Sequence, residues 1–260
     1  MLETRIIVKK QKGKGGLKLR KPVLIVGLPG IGLVGKLAAD HVIKELKAEK
    51  VAELYSPHFP HQVLMSKKGT LRMLKNKFYV LKSKKEKGCD LLLLVGDVQA
   101  ITSEAQYEVC DKILDFFEKL GGETIYTLGG YGTGKMVDTP RVFGSATHKE
   151  LIEPLKKHGI VFGEASGSIV GVAGMLLGLG RLRGMKGACL MGETHGGYVD
   201  AKCAQSVLKV LGTVVGLEVD LAKLEDRAKE SEKFMRKMEK EVQKQRELGG
   251  MQEGGLSYIR

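Results

Sequence analysis

The chain has 260 residues, 43% hydrophobic and 28% charged, with 43 Lys and Arg against 30 Asp and Glu for a net charge of +13. That length and balance suit one large α/β domain with a substantial core. The longest apolar stretch, Ser168–Leu179, is broken by glycines and too short to span a bilayer, and the N-terminal MLETRIIVKK lacks the apolar run of a signal peptide. A cytoplasmic protein with no membrane partner is therefore expected.

Thr4–Lys9 alternates as a strand and leads into a Lys/Gly turn over Lys10–Gly16. Pro22–Val26 is a continuous apolar run, the pattern of a strand buried on both faces. Glycines punctuate Gly27–Gly32. A helix is expected over 31–48, with Val34, Leu37, Ala38, His41, Val42 and Leu46 at helical spacing. Val51–Tyr55 reads as the next strand. Three short alternating segments between Val63 and Lys82 suggest an antiparallel meander at one edge.

Asp90–Val95 is a second continuous apolar run. The helix after it takes Ser103 as N-cap, Gln106 at the capping-box position and Gly121-Gly122 as its stop. Thr124–Leu128 is a third core strand and Gly129–Gly134 a glycine-rich loop. His148–Lys157 is a short helix. Gly167–Gly180 is a helix so rich in glycine that it must pack very closely on a neighbour, through Gly171, Gly174 and Gly178. Lys186–Met191 is a fourth core strand and Asp200–Val215 an amphipathic helix. Strands alternating with helices predict an α/β fold, with a mostly parallel or mixed sheet flanked by helices.

Leu217, Leu221, Leu224, Ala228, Ser231, Met235, Met238 and Val242 recur at heptad spacing within an otherwise charged segment, predicting a long C-terminal helix over 217–248. Such a helix must pack on the body, on a partner or on its own copy. Residues 1–216 would form the core domain and 249–260 a flexible tail. Within that tail a Gly-rich spacer precedes Leu256, Tyr258, Ile259 and Arg260, an apolar and aromatic end suited to docking in a partner's pocket.

The positive excess is spread from Lys9 to Lys244. With Trp absent and Asn confined to Asn76, it reads as the Lys- and Glu-rich surface of a heat-adapted protein, and no nucleic-acid partner is expected. Cys89, Cys110, Cys189 and Cys203 show no C-x-x-C spacing and read as buried small hydrophobes in a reducing compartment. The six histidines have no metal spacing, so no metal or other cofactor is expected.

Two glycine motifs bear on nucleotide chemistry. Gly30-Ile31-Gly32-Leu33-Val34-Gly35 is a literal G-x-G-x-x-G between a core strand and a helix, with Glu53 near the end of the next strand. It nearly reads as a P-loop through Gly35-Lys36, but Leu37 replaces the magnesium-binding Ser or Thr, and Pro29 removes a backbone N–H. Gly129–Lys135 repeats the near-miss with Met136 in place of the hydroxyl. The loop formed by Gly27, Pro29, Gly30, Gly32 and Gly35 is thus read as structural. The alternative is a nucleotide- or phosphate-binding, ATP-dependent ligase-like enzyme using that loop. Glu193 and His195, after a core strand, are candidate ligand or interface residues; no nucleophile can be paired with either.

Three segments carry a family resemblance: GLPGIGLVGKLAADHVI from Gly27, ASGSIVGVAGMLLGLG from Ala165, and GETHGGYVDAKCAQSVLKVLGTVVGLEVDLAKL from Gly192. In this order, over roughly residues 20–225, they resemble the proteasome assembly chaperone 2 family in its archaeal branch. The resemblance implies a phosphorylase/hydrolase-like α/β body without catalysis, and a homo-oligomer, tetramer or pentamer. It also implies binding to the α-ring of the proteasome core particle. The family's C-terminal hydrophobic–Tyr–any motif enters pockets between α subunits. Here Tyr258 stands third from the end and Ile259 takes the penultimate place.

Overall fold

In a computed structural model the described residues are 3–9, 16–86, 88–230 and 233. They form an α/β body around a nine-stranded mixed sheet whose strands lie in the order β1 (Arg5–Val8), β3 (Glu49–Tyr55), β6 (Asn76–Leu81), β7 (Leu91–Gly96), β2 (Val23–Gly27), β8 (Thr124–Gly132), β11 (Lys186–Thr194), β9 (Val142–Ala146) and β10 (Ile160–Val161). Its centre is parallel: β2 lies between β7 and β8, and β8 pairs in turn with β11. These strands are covered on both faces, which is why β2 and β7 are nearly all apolar. The flank β1, β3 and β6 is antiparallel, and β6 alternates strictly in burial.

Helices α1 (Val34–Glu45) and α5 (Ala201–Val215) cover one face; α2 (Ser103–Lys119) and α4 (Val172–Leu182) cover the other. A short α3 (Ile152–Lys156) continues a 3-10 turn at Lys149–Leu151. Thr102, not Ser103, caps α2: its side chain accepts from Ala105 N, and Gln106 donates to the Ala100 carbonyl instead of closing a capping box. α5 is capped by Asp200 and stopped by Gly216 in the left-handed region at φ 70°.

Other expectations are corrected. The meander does not form: β4 (Val63–Met65) and β5 (Leu71–Met73) make a separate hairpin, while β6 joins the main sheet between β3 and β7. Gly129–Gly132 is strand, because it continues the parallel register with β11. Two strands were unforeseen, β9 (Val142–Ala146) and β10 (Ile160–Val161). α4 starts only at Val172, after Gly171 at φ 80°, and Gly178 faces open space, with no close neighbour. Cys89 is exposed, unlike the three other cysteines.

The C-terminal segment starts later than its heptad pattern suggests. Residues 217–221 are not helical, and helix is described over 224–230. Leu224 and Ala228 are buried in the core layer shared with α1 and α5, so this part of the seam packs on the body. Apart from Lys233, which is helical, the remainder of the expected helix to 248 and the tail residues Leu256, Tyr258, Ile259 and Arg260 lie outside the described residues.

Candidate functional site

The carboxyl ends of β2, β8 and β11 meet at one place. β2 connects through α1 to the β3 side of the sheet, whereas β8 leads to the β9 side. α/β folds place ligands in the crevice at such a switch point. A cavity of about 290 Å³ opens here, lined by residues that include Val26, Leu28, Ile31, Ile169, Val170 and Met191. No Asp, Glu, His, Lys or Arg is among its lining residues.

The glycine loop forms one wall. A Cβ at Gly27 would overlap the Gly35 carbonyl, and one at Gly35 would overlap the Leu128 carbonyl, so these glycines let α1 lie directly on β2 and β8. Gly32 and Leu33 are left-handed, at φ 60° and 52°, and turn the chain into α1. The Gly32 carbonyl accepts from Asp200 N at 2.9 Å. Asp200 also accepts from Thr194 Oγ1 at 2.7 Å and Cys203 N at 2.9 Å. The buried carboxylate therefore ties the end of β11 to the start of α5, and the Asp200 backbone N–H ties both to the loop.

Gln99 fastens the opposite wall. It is buried; its Nε2 donates to the Pro29 carbonyl at 2.6 Å and its Oε1 accepts from Val172 N at 2.8 Å. The glycine loop and the start of α4 are thus joined through one amide. Both ends of that amide are occupied within the protein.

The features that suggested nucleotide binding are not brought together. Lys36 Nζ is 2.8 Å from Asp40 Oδ2 of the same helix. Glu53 lies in β3, separated from β2 by β6 and β7, and is paired with Lys50 and Lys75. Those bonds hold its carboxyl down at about 2 against the opposing effect of burial. A metal site would need clustered ligands, and no group of three or more suitable His, Cys, Asp or Glu occurs among the described residues.

Glu193 forms a two-pronged ion pair with Arg141, whose remaining arm reaches Glu164 at 2.8 Å. Hydrogen bonding from Arg141 holds the Glu193 carboxyl below its ordinary range. His195 turns to its own loop: Nδ1 accepts from Gly197 N at 3.2 Å and the ring lies 5.5 Å from that of Tyr198. No hydrogen bond links Glu193 to His195 among the described residues. Gln99, Thr194 and Arg141 escaped sequence reasoning. The partners of Gln99 and Arg141 are 23 to 73 residues away and Asp200 meets Thr194 across a turn, so nothing local marks them. Asp200 was legible only as the start of a helix.

Sequence and fold together place the chain in a known class. Residues 24–239 match the PAC2 family model, and the chain belongs to the PAC2 family. It is 45% identical to PbaB of Pyrococcus furiosus, described as an archaeal proteasome activator; the match covers 92% of this chain and 100% of that one, with a TM-score of 0.81. It is 27% identical to P. furiosus PbaA, an archaeal homolog of proteasome-assembly chaperone, over 94% of this chain and 99% of that one, with a TM-score of 0.74. Among curated proteins it is 38% identical to the uncharacterized protein MJ1210 of Methanocaldococcus jannaschii, over 100% of this chain and 99% of the relative. No helix among the described residues is long and apolar enough to cross a membrane.

Proposed function

We propose that this protein is a non-enzymatic, homo-oligomeric, cytoplasmic partner of the proteasome core particle that engages its α-ring through its body and C-terminal tails. The carrying observation is the 45% identity to the proteasome activator PbaB over nearly the whole chain. Self-association is supported by apolar side chains that the single chain leaves exposed, among them Met65, Leu71 and Leu182. The absence of charged side chains from the switch-point cavity favours binding over general acid–base chemistry.

In this reading Tyr258 supplies most of the tail's contact area, Ile259 adds apolar contact, and the Arg260 carboxylate meets a cation. Several tails on one oligomer act multivalently, so a weak single docking gives firm binding. Deletion of residues 256–260 tests the tail directly, with native mass as the control. The truncated protein should keep its oligomeric mass and lose α-ring binding. Undiminished binding by a correctly assembled truncation would transfer the role to the body surface.

A further inference from the structure

We infer that the cavity at the ends of β2, β8 and β11 is a binding site for a small, uncharged, mainly hydrocarbon ligand, not for a phosphate. The inference does not depend on the proteasome reading.

Its chemistry follows from the lining. Phosphate sites at glycine loops need free backbone N–H groups at a helix start, commonly with a cation. Here the start of α1 is pressed under the Leu128 carbonyl at Gly35, and Lys36 is held by Asp40. No cationic side chain lines the space. The amide best placed to greet a polar ligand, Gln99, is already held at both ends, Nε2 by the Pro29 carbonyl and Oε1 by the Val172 N–H. Most of what faces the cavity is apolar, with Val26 and Leu28 from the β2 end, Ile31 from the loop, Ile169 and Val170 before α4, and Met191 from β11; Tyr131 and Ser168 are uncharged polar groups at the same wall.

Its size is that of a ligand site. An apolar cavity of about 150 Å³ stays dry and takes up benzene. At about 290 Å³ this one has room for a two-ring or medium-chain molecule. One position shows that the space is left open. Gly129 lines the cavity, and a Cβ built there meets nothing within 4 Å. Its neighbour Gly130, by contrast, is required, since a Cβ there would come within 2.6 Å of the Ile31 carbonyl. An aliphatic residue at 129 would suit a β-strand better than glycine and would fill the void, yet glycine stands there.

The test is a titration of the full chain with 1-octanol, with ATP and inorganic phosphate as separate arms. Binding is read from the methyl resonances of Ile31, Ile169 and Met191. Octanol should give saturable shifts at these methyls, and ATP and phosphate none. Gly129→Leu should fold, as judged by its unperturbed distant methyls, and weaken octanol binding by about ten-fold or more. Ala173→Leu, from the α4 wall, is the second blocking variant should Gly129→Leu fail to fold. Xenon-pressurised crystals should show the gas beside Gly129. The inference is overturned if octanol causes no saturable shift, if a folded blocking variant binds it as well as the parent does, or if phosphate or ATP shifts the same methyls.

Discussion

Gly35 of α1 lies directly beneath the carbonyl oxygen of Leu128 in β8, so closely that a Cβ at 35 would overlap it. This contact sets how deeply α1 sits on the sheet. Gly35→Ala should therefore cost about 1–3 kcal/mol or more through overpacking. Gly30→Ala is the matched control. Its Cβ meets nothing within 4 Å, and φ is −169°, extended backbone open to any residue. Thermal unfolding should show a clear loss for the first variant and near-neutrality for the second.

Asp200 joins three partners from β11, α5 and the glycine loop. Asp200→Ala removes an N-cap, worth about 1 kcal/mol. It also leaves the buried Thr194 hydroxyl without its acceptor, at a further cost of about 1–3 kcal/mol. Denaturant unfolding should place the variant below Asp200→Asn, which keeps an acceptor oxygen. Equal stability of the two variants would contradict the role given to this side chain.

Gln99→Leu should release the start of α4 from the glycine loop. The Val172 N–H then loses its acceptor, at about 1–3 kcal/mol. Hydrogen exchange is the sharper readout: Val172 should lose protection while the centre of α2 keeps it.

Stability should depend on pH through His41. Its ring is buried between α1 and the segment after α5, where Nε2 bonds the Asp220 carbonyl at 2.5 Å and Nδ1 accepts from Arg227 at 2.8 Å. Arg227 in turn pairs with Glu45 at 2.7 Å. Burial, aided by Arg227, pushes the His41 pKa below its ordinary 6.5, although the Asp220 carbonyl and the Glu45 charge oppose this. The unfolded chain then binds the proton more readily than the folded one. This contribution is complete above pH 6.5 and is lost as the pH falls below that value toward the folded pKa. His41→Gln should flatten unfolding free energy against pH in that window. Glu45, held low chiefly by its bond to Arg227, acts in a more acidic one.

Much of this architecture was legible in the sequence because burial on both faces leaves an unmistakable run, as in Leu91–Val95 of β7. β9 was not, since Gly144, Ser145 and Ala146 have little strand preference and are held only by pairing with Cys189 and its neighbours in β11. Glycine misled twice for one reason. It reports permission for close approach but not the partner, so Gly129–Gly132 read as loop and Gly178 as a contact. The cavity itself depends on Gln99 meeting Pro29 across 70 residues, which no local pattern encodes. The heptad seam was visible, and of the three partners open to it, body, partner chain or own copy, Leu224 and Ala228 take the body.

Association with the proteasome is tested most directly by sedimentation velocity of the full chain mixed with isolated proteasome α-rings from the same source. A new, faster boundary containing both proteins is expected, alongside a free protein that itself sediments as an oligomer. Two boundaries unchanged from those of the separate components, at concentrations well above micromolar, would contradict the association.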